Sequence, residues 1–267
     1  MNRARVDYDT LAPTYNQRFV VSDRPAMAAM LQALAAESAA RQILEVGCGT
    51  GRWLEALHAA AWNAAAFTVF GLDPSRGMLQ QARQRSLPLR LVQGEGESLP
   101  YADGGFELVS CVNALHHMSD PRAFLREARR VLAPGGRLAI ASMDPHDTRN
   151  AWYVYDFFEG VHARDLSRFP AHETVLQWLA EAGLVEVERR AIETIEAGWT
   201  GEAVLTDPFL QKHATSQLAL LDEAAYAAGL QRLAAALAQD PTRRFRTVLR
   251  MEMLVGKAGI RDFVAGR

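Results

Sequence analysis

The stretch Gln42-Ile43-Leu44-Glu45-Val46-Gly47-Cys48-Gly49-Thr50-Gly51 decides the fold class. Its first half is a short apolar run, and its second half places glycine at every other position. Continuous apolarity closed by glycine reads as a strand buried on both faces, as in a parallel sheet. The alternating glycines let the backbone turn with positive φ and bring bare main chain against a ligand. The dinucleotide-binding pattern would need glycine at position 52, where Arg52 stands, and its third glycine comes one residue early at Gly51. The pyrophosphate-cradling fingerprint is therefore not met.

Outward from this loop the pattern cycles. A helix is expected over 52–61, then strands over 67–72, 89–93 and 106–112 with a helix over 74–85. A helix over 121–132 and a strand over 137–143 close the series, with Pro134-Gly135-Gly136 as the turn between them. Strand and helix alternating at this spacing imply a doubly wound α/β sheet with right-handed crossovers. Before the loop, residues 4–19 and 25–38 read as helices, the second capped through Ser22-Asp23-Arg24-Pro25. After residue 143 the expected elements are helices over 144–168 and 172–182, the latter ended by Gly183. A strand over 184–195, helices over 201–212 and 216–239, and a final strand over 245–255 follow. No repeat or low-complexity linker interrupts the chain, so the expectation is one domain over 1–267. It has a helical cover (1–40), a core (41–143) and helical insertions (144–182 and 196–241) that form a cap.

Composition narrows the partners. The 267 residues carry 29 Lys+Arg against 31 Asp+Glu, a net charge of −2, which supplies no field to hold a polyanion. Nucleic acid is not an expected partner. Cys48 and Cys111 are too few for a disulfide framework or a four-cysteine zinc site. The alanine-rich runs are broken well short of the roughly 20 apolar residues of a membrane span, and the first residues have no apolar signal core. A cytoplasmic enzyme with no membrane or metal, acting as a monomer or homodimer, is the expectation.

Asp73 ends the second strand, 22 residues beyond Gly51. A carboxylate there can accept both hydroxyls of a ribose, so the loop and Asp73 together suit a nucleoside without a pyrophosphate. Gly94-Glu95-Gly96-Glu97-Ser98-Leu99-Pro100-Tyr101 and Asn113-Ala114-Leu115-His116-His117-Met118 follow the next two strands. All four loops fall at strand carboxyl ends, where open α/β sheets bind ligands. An acidic side chain in the third loop can accept from an exocyclic amine, and Met78 and Leu99 can flank a base.

The segments Ile43–Gly51, Gly71-Leu72-Asp73-Pro74-Ser75, Gly94–Tyr101 and Leu132-Ala133-Pro134-Gly135-Gly136-Arg137-Leu138 resemble the successive motifs of class I S-adenosylmethionine-dependent methyltransferases. Within that family they are most similar to the small-molecule, quinone-biosynthesis-like group. The resemblance covers about residues 8–143 well and the remainder loosely. It implies a Rossmann-like seven-stranded sheet with an antiparallel last strand, so that 245–255 inserts beside 137–143. It implies S-adenosyl-L-methionine as cofactor. Glu45, Gly47 and Gly49 would meet its methionine moiety, Asp73 its ribose and Met78 its adenine. Glu95 and Gly96 would read the base edge, although the family more often has Asp and Ala at these two places. Cys48, Pro74 and Glu97 lie in the same contact loops, and Asn113 would sit near the methionine carboxyl or the sulfonium. Tyr8 and Tyr15 match an N-terminal helix that folds over the cofactor, with Arg18 facing its carboxylate.

Transfer from an activated sulfonium is an in-line displacement, so the protein must align the acceptor, exclude water and, for some acceptors, remove a proton. His116 and His117 are candidate bases, with His117 also near the cofactor. Asp144 and His146, just past the fifth strand, are further candidates. On a helix over 144–168, Trp152, Tyr155 and Glu159 would share one face and Tyr153 and Phe157 another. One of these faces can line an acceptor pocket, which makes Tyr153 a candidate too. The expected activity is methyl transfer to a small-molecule O, N or C acceptor, releasing S-adenosylhomocysteine. The alternatives are consumption of the same cofactor without methylation, releasing methylthioadenosine, and a cofactor-binding protein without turnover.

Overall fold

A computed structural model describes residues 6–16, 24–59 and 67–259. The first elements are α1 (Tyr8–Leu11), α2 (Pro25–Glu37), β1 (Gln42–Val46), α3 (Arg52–Ala59), β2 (Thr68–Asp73), α4 (Arg76–Arg83) and β3 (Arg90–Gln93). Next come β4 (Phe106–Val112), a 3-10 turn at Leu115–His117, α5 (Pro121–Val131) and β5 (Leu132–Met143). The remainder holds β6 (Ala151–Trp152), α6 (Val154–Phe157), α7 (Val161–Arg168), α8 (His172–Glu181) and β7 (Leu184–Thr200). After 3-10 turns at Gly201–Thr206 and Pro208–Leu210 come α9 (Ser216–Ala219), α10 (Glu223–Gln239) and β8 (Arg244–Ala258).

The strands form one sheet in the order β3-β2-β1-β4-β5-β8-β6, with β7 also pairing β8. The β1–β2, β1–β4, β2–β3 and β4–β5 pairs are parallel and β6–β8 is antiparallel. The final strand lies beside β5, as the resemblance implies. The described sheet has eight strands rather than seven, the extra one being the two-residue β6. Four of the five residues of β1 are buried, as a strand covered on both faces requires. Leu44 and Val46 join Leu72, Val109, Phe124, Ile140, Leu179 and Leu254 in the largest apolar cluster.

The chain divides into two compact units. One contains Arg24–Ser142, His172–Ile192 and Glu252–Arg267; the other contains Met1–Asp23, Met143–Ala171 and Glu193–Met251. In the second, Trp152, Phe157, Phe158, Leu218, Leu233 and Phe245 are part of a separate apolar cluster.

Several local expectations change. Arg24, with no capping side-chain hydrogen bond, is the N-cap of α2; Ser22 and Asp23 lie outside the described residues. The β5 strand starts at Leu132, and the Pro-Gly-Gly turn becomes a bulge inside it. Phe106 pairs with Leu132 but Leu108 pairs with Arg137, so 133–136 loop out between the two contacts. The single helix expected over 144–168 is not formed. Asp144 and Asp147 fold 144–150 into turns, and Ala151 and Trp152 pair with Val248 and Thr247. Gly160, at φ +75, then separates α6 from α7. Trp152 and Tyr155 therefore share no helical face, because tertiary strand pairing outweighs local propensity. The helix expected over 216–239 breaks at 220–222, where Asp222 accepts the Ala225 N–H at 2.7 Å and caps α10.

Candidate functional site

The glycine loop leaves β1 and enters α3 in the core unit. Gly47, at φ +73, brings its backbone so close to Ala114 that an added Cβ would stand 2.4 Å from the Ala114 Cβ. Its N–H and that of Cys48 both donate to the Leu72 carbonyl, at 2.7 and 3.1 Å, tying the loop to the end of β2. Gly49, at φ +52, has open space where a Cβ would project. Its N–H donates to Asp73 Oδ2 at 2.8 Å, while Asp73 Oδ1 accepts the Ser75 N–H at 2.9 Å. Asp73 is thus held at the loop's edge through both carboxylate oxygens.

Glu45, 1% exposed, carries the loop's other carboxylate, and its Oε2 is buried with no hydrogen-bond partner. Burial pushes this carboxyl well above the usual range, and the nearby Asp73 charge pushes the same way. Burial likewise raises the Cys48 and Cys111 thiols, with Glu45 adding to both, so neither is poised as a nucleophile. Arg85 fixes the loop from outside: its Nε donates to the Thr50 carbonyl at 2.6 Å and its guanidinium pairs with Glu55. No spacing in the sequence marks Arg85 for this work, because its partner lies 35 residues away.

The remaining loops converge on the same strand ends. Ser75 caps α4 by accepting the Met78 N–H; Met78 is buried and Pro74 exposed. Gly96 is buried against Val46, Met118 and Phe124, and Glu95 beside it is exposed. Glu97 turns instead to the next loop, where its Oε1 accepts from the Ser119 N–H and hydroxyl at 2.7 and 2.8 Å. Burial alone would raise the Glu97 carboxyl, yet the Ser119 hydroxyl and neighbouring backbone N–H groups hold it below its ordinary value. Asn113, at φ +52, ends β4 in a left-handed conformation that asparagine tolerates, with its N–H on the Ala141 carbonyl. His116 is buried and His117 half-buried, with ring centroids 4.0 Å apart.

The other expected residues fall in the second unit or outside the described residues. Tyr8 and Tyr15 meet edge to face at 6.0 Å, and Arg18 lies outside the described residues. Asp144 Oδ1 accepts the His146 N–H, and His146 Nε2 donates to the Phe169 carbonyl. Tyr153 is 3% exposed, and its hydroxyl donates to Asp207 Oδ2 at 2.8 Å. Burial, reinforced by Asp207, pushes the Tyr153 phenol up, so this hydroxyl keeps its proton.

Within the core unit the donor set fits a nucleoside with an aminoacyl arm. The orphaned Glu45 Oε2 and the open face at Gly49 suit an ammonium group packed on bare backbone, and Asp73 borders the same loop. No group of three or more metal-ligating side chains occurs among the described residues, and no described helix is long and apolar enough to cross a membrane.

Residues 44–140 match the family model described as "Methyltransferase domain". A phthiotriol/phenolphthiotriol dimycocerosates methyltransferase from Mycobacterium leprae is 34% identical over 140 residues, 52% of this chain and 51% of that one. The chain spans about half the length, or less, of several curated relatives that it matches. Among solved structures, the YcgJ protein of Bacillus subtilis superposes with a TM-score of 0.60 at 18% identity, over 86% of this chain and 99% of that one. The [4+2]-cyclase SpnF superposes with a TM-score of 0.56 at 19% identity, over 95% of this chain and 94% of that one. At these identities the structural matches establish the Rossmann-like fold.

Proposed function

We propose, for a chain that carries a class I S-adenosylmethionine-dependent methyltransferase domain over residues 44–140, that it moves the cofactor's methyl group to a small-molecule acceptor. The observation that carries this reading is the buried, unpartnered Glu45 Oε2 beside the Gly47–Gly49 turn, with Asp73 locked onto the Gly49 N–H. A ligand without a donor at this point would leave that buried oxygen unpartnered, whereas the ammonium of a methionine arm satisfies it.

The bound cofactor supplies an already electrophilic methyl carbon. The chain's own residues then bind and orient. Glu45, Gly47, Cys48 and Gly49 take the methionine arm, and Asp73 and Pro74 flank the ribose. Met78, Glu95, Gly96 and Glu97 border the base. Asn113 and the His116–His117 pair stand at the end of β4 on the acceptor side. Tyr8, Tyr15, Asp144 and Tyr153 belong to the second unit, and Arg18 lies outside the described residues. Alignment of this kind supplies about 7–11 kcal/mol in well-oriented model systems, so a covalent enzyme nucleophile is not needed.

The deciding experiment is incubation of the full chain with S-adenosylmethionine, alone and with a metabolite extract, followed by mass analysis of small products. S-adenosylhomocysteine formed only with extract supports methyl transfer. Methylthioadenosine formed from the cofactor alone would replace this reading with a non-methylating one, and binding without either product would replace it with a cofactor-binding protein without turnover.

A further inference from the structure

Ser142 is the penultimate residue of β5, one position beyond Ala141, which pairs with Val112 at the end of β4. Since β1, β4 and β5 run parallel, Ser142 stands at the same end of the sheet as the glycine loop and Asn113. Its Oγ lies 3.1 Å from His172 Nε2, and His172 Nδ1 lies 2.9 Å from Glu252 Oε2. The three residues come from β5, the first position of α8 and β8, all within the core unit. His172 is 2% exposed and Glu252 8%, while Ser142 is only half-buried. Arg189 of β7 completes the surroundings, with Nε 3.6 Å from the same Glu252 oxygen and Nη2 donating to Glu173 at 2.6 Å.

These partners fix the tautomer. A carboxylate can only accept, so Nδ1 of the neutral ring carries the proton and Nε2 presents its lone pair to the Ser142 hydroxyl. A histidine buried merely for packing needs no chain of partners leading out to a half-exposed hydroxyl at the ligand-binding end of a sheet.

We propose that Ser142, His172 and Glu252 form the proton relay that deprotonates the acceptor, and that the acceptor is therefore a hydroxyl compound. The assignment rests on the methyltransferase reading. The acceptor hydroxyl gives its proton to Ser142 Oγ as Ser142 passes its own to His172 Nε2, and Glu252 steadies the imidazolium through Nδ1–H. The freed acceptor oxygen bonds to the methyl carbon while the carbon–sulfur electron pair stays on sulfur. The single proton left on His172 returns to water. Ser142 is the catalytic residue, and His172 and Glu252 act through it as positioning residues.

The same relay makes Ser142 reactive toward an organophosphorus probe, which needs no knowledge of the acceptor. The full chain is treated with diisopropyl phosphorofluoridate at neutral pH, and adducts are located by peptide mass mapping. The expected result is an adduct on Ser142 that is absent in Ser142→Ala and forms at least tenfold more slowly in the near-isosteric Glu252→Gln. Its rate changes at least threefold when S-adenosylhomocysteine saturates the protein. No adduct on Ser142, or a rate indifferent to Glu252→Gln or to S-adenosylhomocysteine, overturns the relay. Calorimetry with S-adenosylhomocysteine and no probe reads the cofactor site separately, and in Glu252→Gln it also checks folding. Binding without a Ser142 adduct removes the relay and leaves the methyltransferase reading standing, whereas an adduct without binding removes the methyltransferase reading.

Discussion

The Gly49 N–H donates to Asp73 Oδ2 at 2.8 Å, so the loop after β1 is locked to the last residue of β2 before any ligand arrives. Asp73 shapes the glycine turn and, under the proposed function, also binds the ribose. Asp73→Ala removes a charge-assisted hydrogen bond and a ligand contact, each worth about 1.5–3 kcal/mol. S-adenosylhomocysteine affinity should fall at least tenfold by calorimetry, with Asp73→Asn intermediate; near-normal binding in the alanine variant would remove Asp73 from the site.

Gly47→Ala tests the turn itself. A Cβ there meets the Ala114 Cβ at 2.4 Å from a backbone of φ +73, which combines overpacking with left-handed strain. The expected loss is about 2–4 kcal/mol in chemical denaturation, together with loss of cofactor binding. Combining it with Ala114→Gly should recover part of the stability but not the backbone strain.

Glu45 should leave a signature in the pH dependence of folding. Its native carboxyl titrates well above the ordinary range because it is buried near Asp73, so the native state holds a proton that the unfolded chain has released. Stability is therefore full below the usual carboxylate value and declines as pH rises toward the raised native value. Glu45→Gln should flatten that decline in denaturation curves recorded from pH 4 to 9 without ligand. An unchanged slope would show that Glu45 is not its source.

Tyr153→Phe separates burial from chemistry in the second unit. The variant strips Asp207 of the hydroxyl donated at 2.8 Å and leaves a buried acceptor short of a partner. We expect a stability loss of about 1–3 kcal/mol and unchanged S-adenosylhomocysteine affinity. A drop in turnover with normal stability would instead place the Tyr153 hydroxyl at the acceptor.

What the sequence disclosed follows the range of the forces involved. The β4 strand spans the residues its apolar run marks, and β1 ends where glycine begins, because continuous burial and backbone freedom are local properties. The aromatic stretch after residue 143 misled because Trp152 is held by pairing with Thr247, a contact that no helical periodicity reveals. Glu97 was legible as a loop residue but not as the acceptor of the Ser119 hydroxyl. The Ser142–His172–Glu252 chain was invisible for the same reason: its links join residues 30 and 80 positions apart.

The division of β8 has a consequence for biosynthesis. Leu254 and Ala258 share the principal apolar cluster with Leu44 and Val46, yet leave the ribosome more than two hundred residues later. The nascent core must wait through translation of residues 143–171 and 193–251 of the second unit with that side of the cluster uncovered. At about 5–20 residues per second this exposure lasts at least ten seconds, which makes the emerging chain a natural client for a ribosome-associated chaperone.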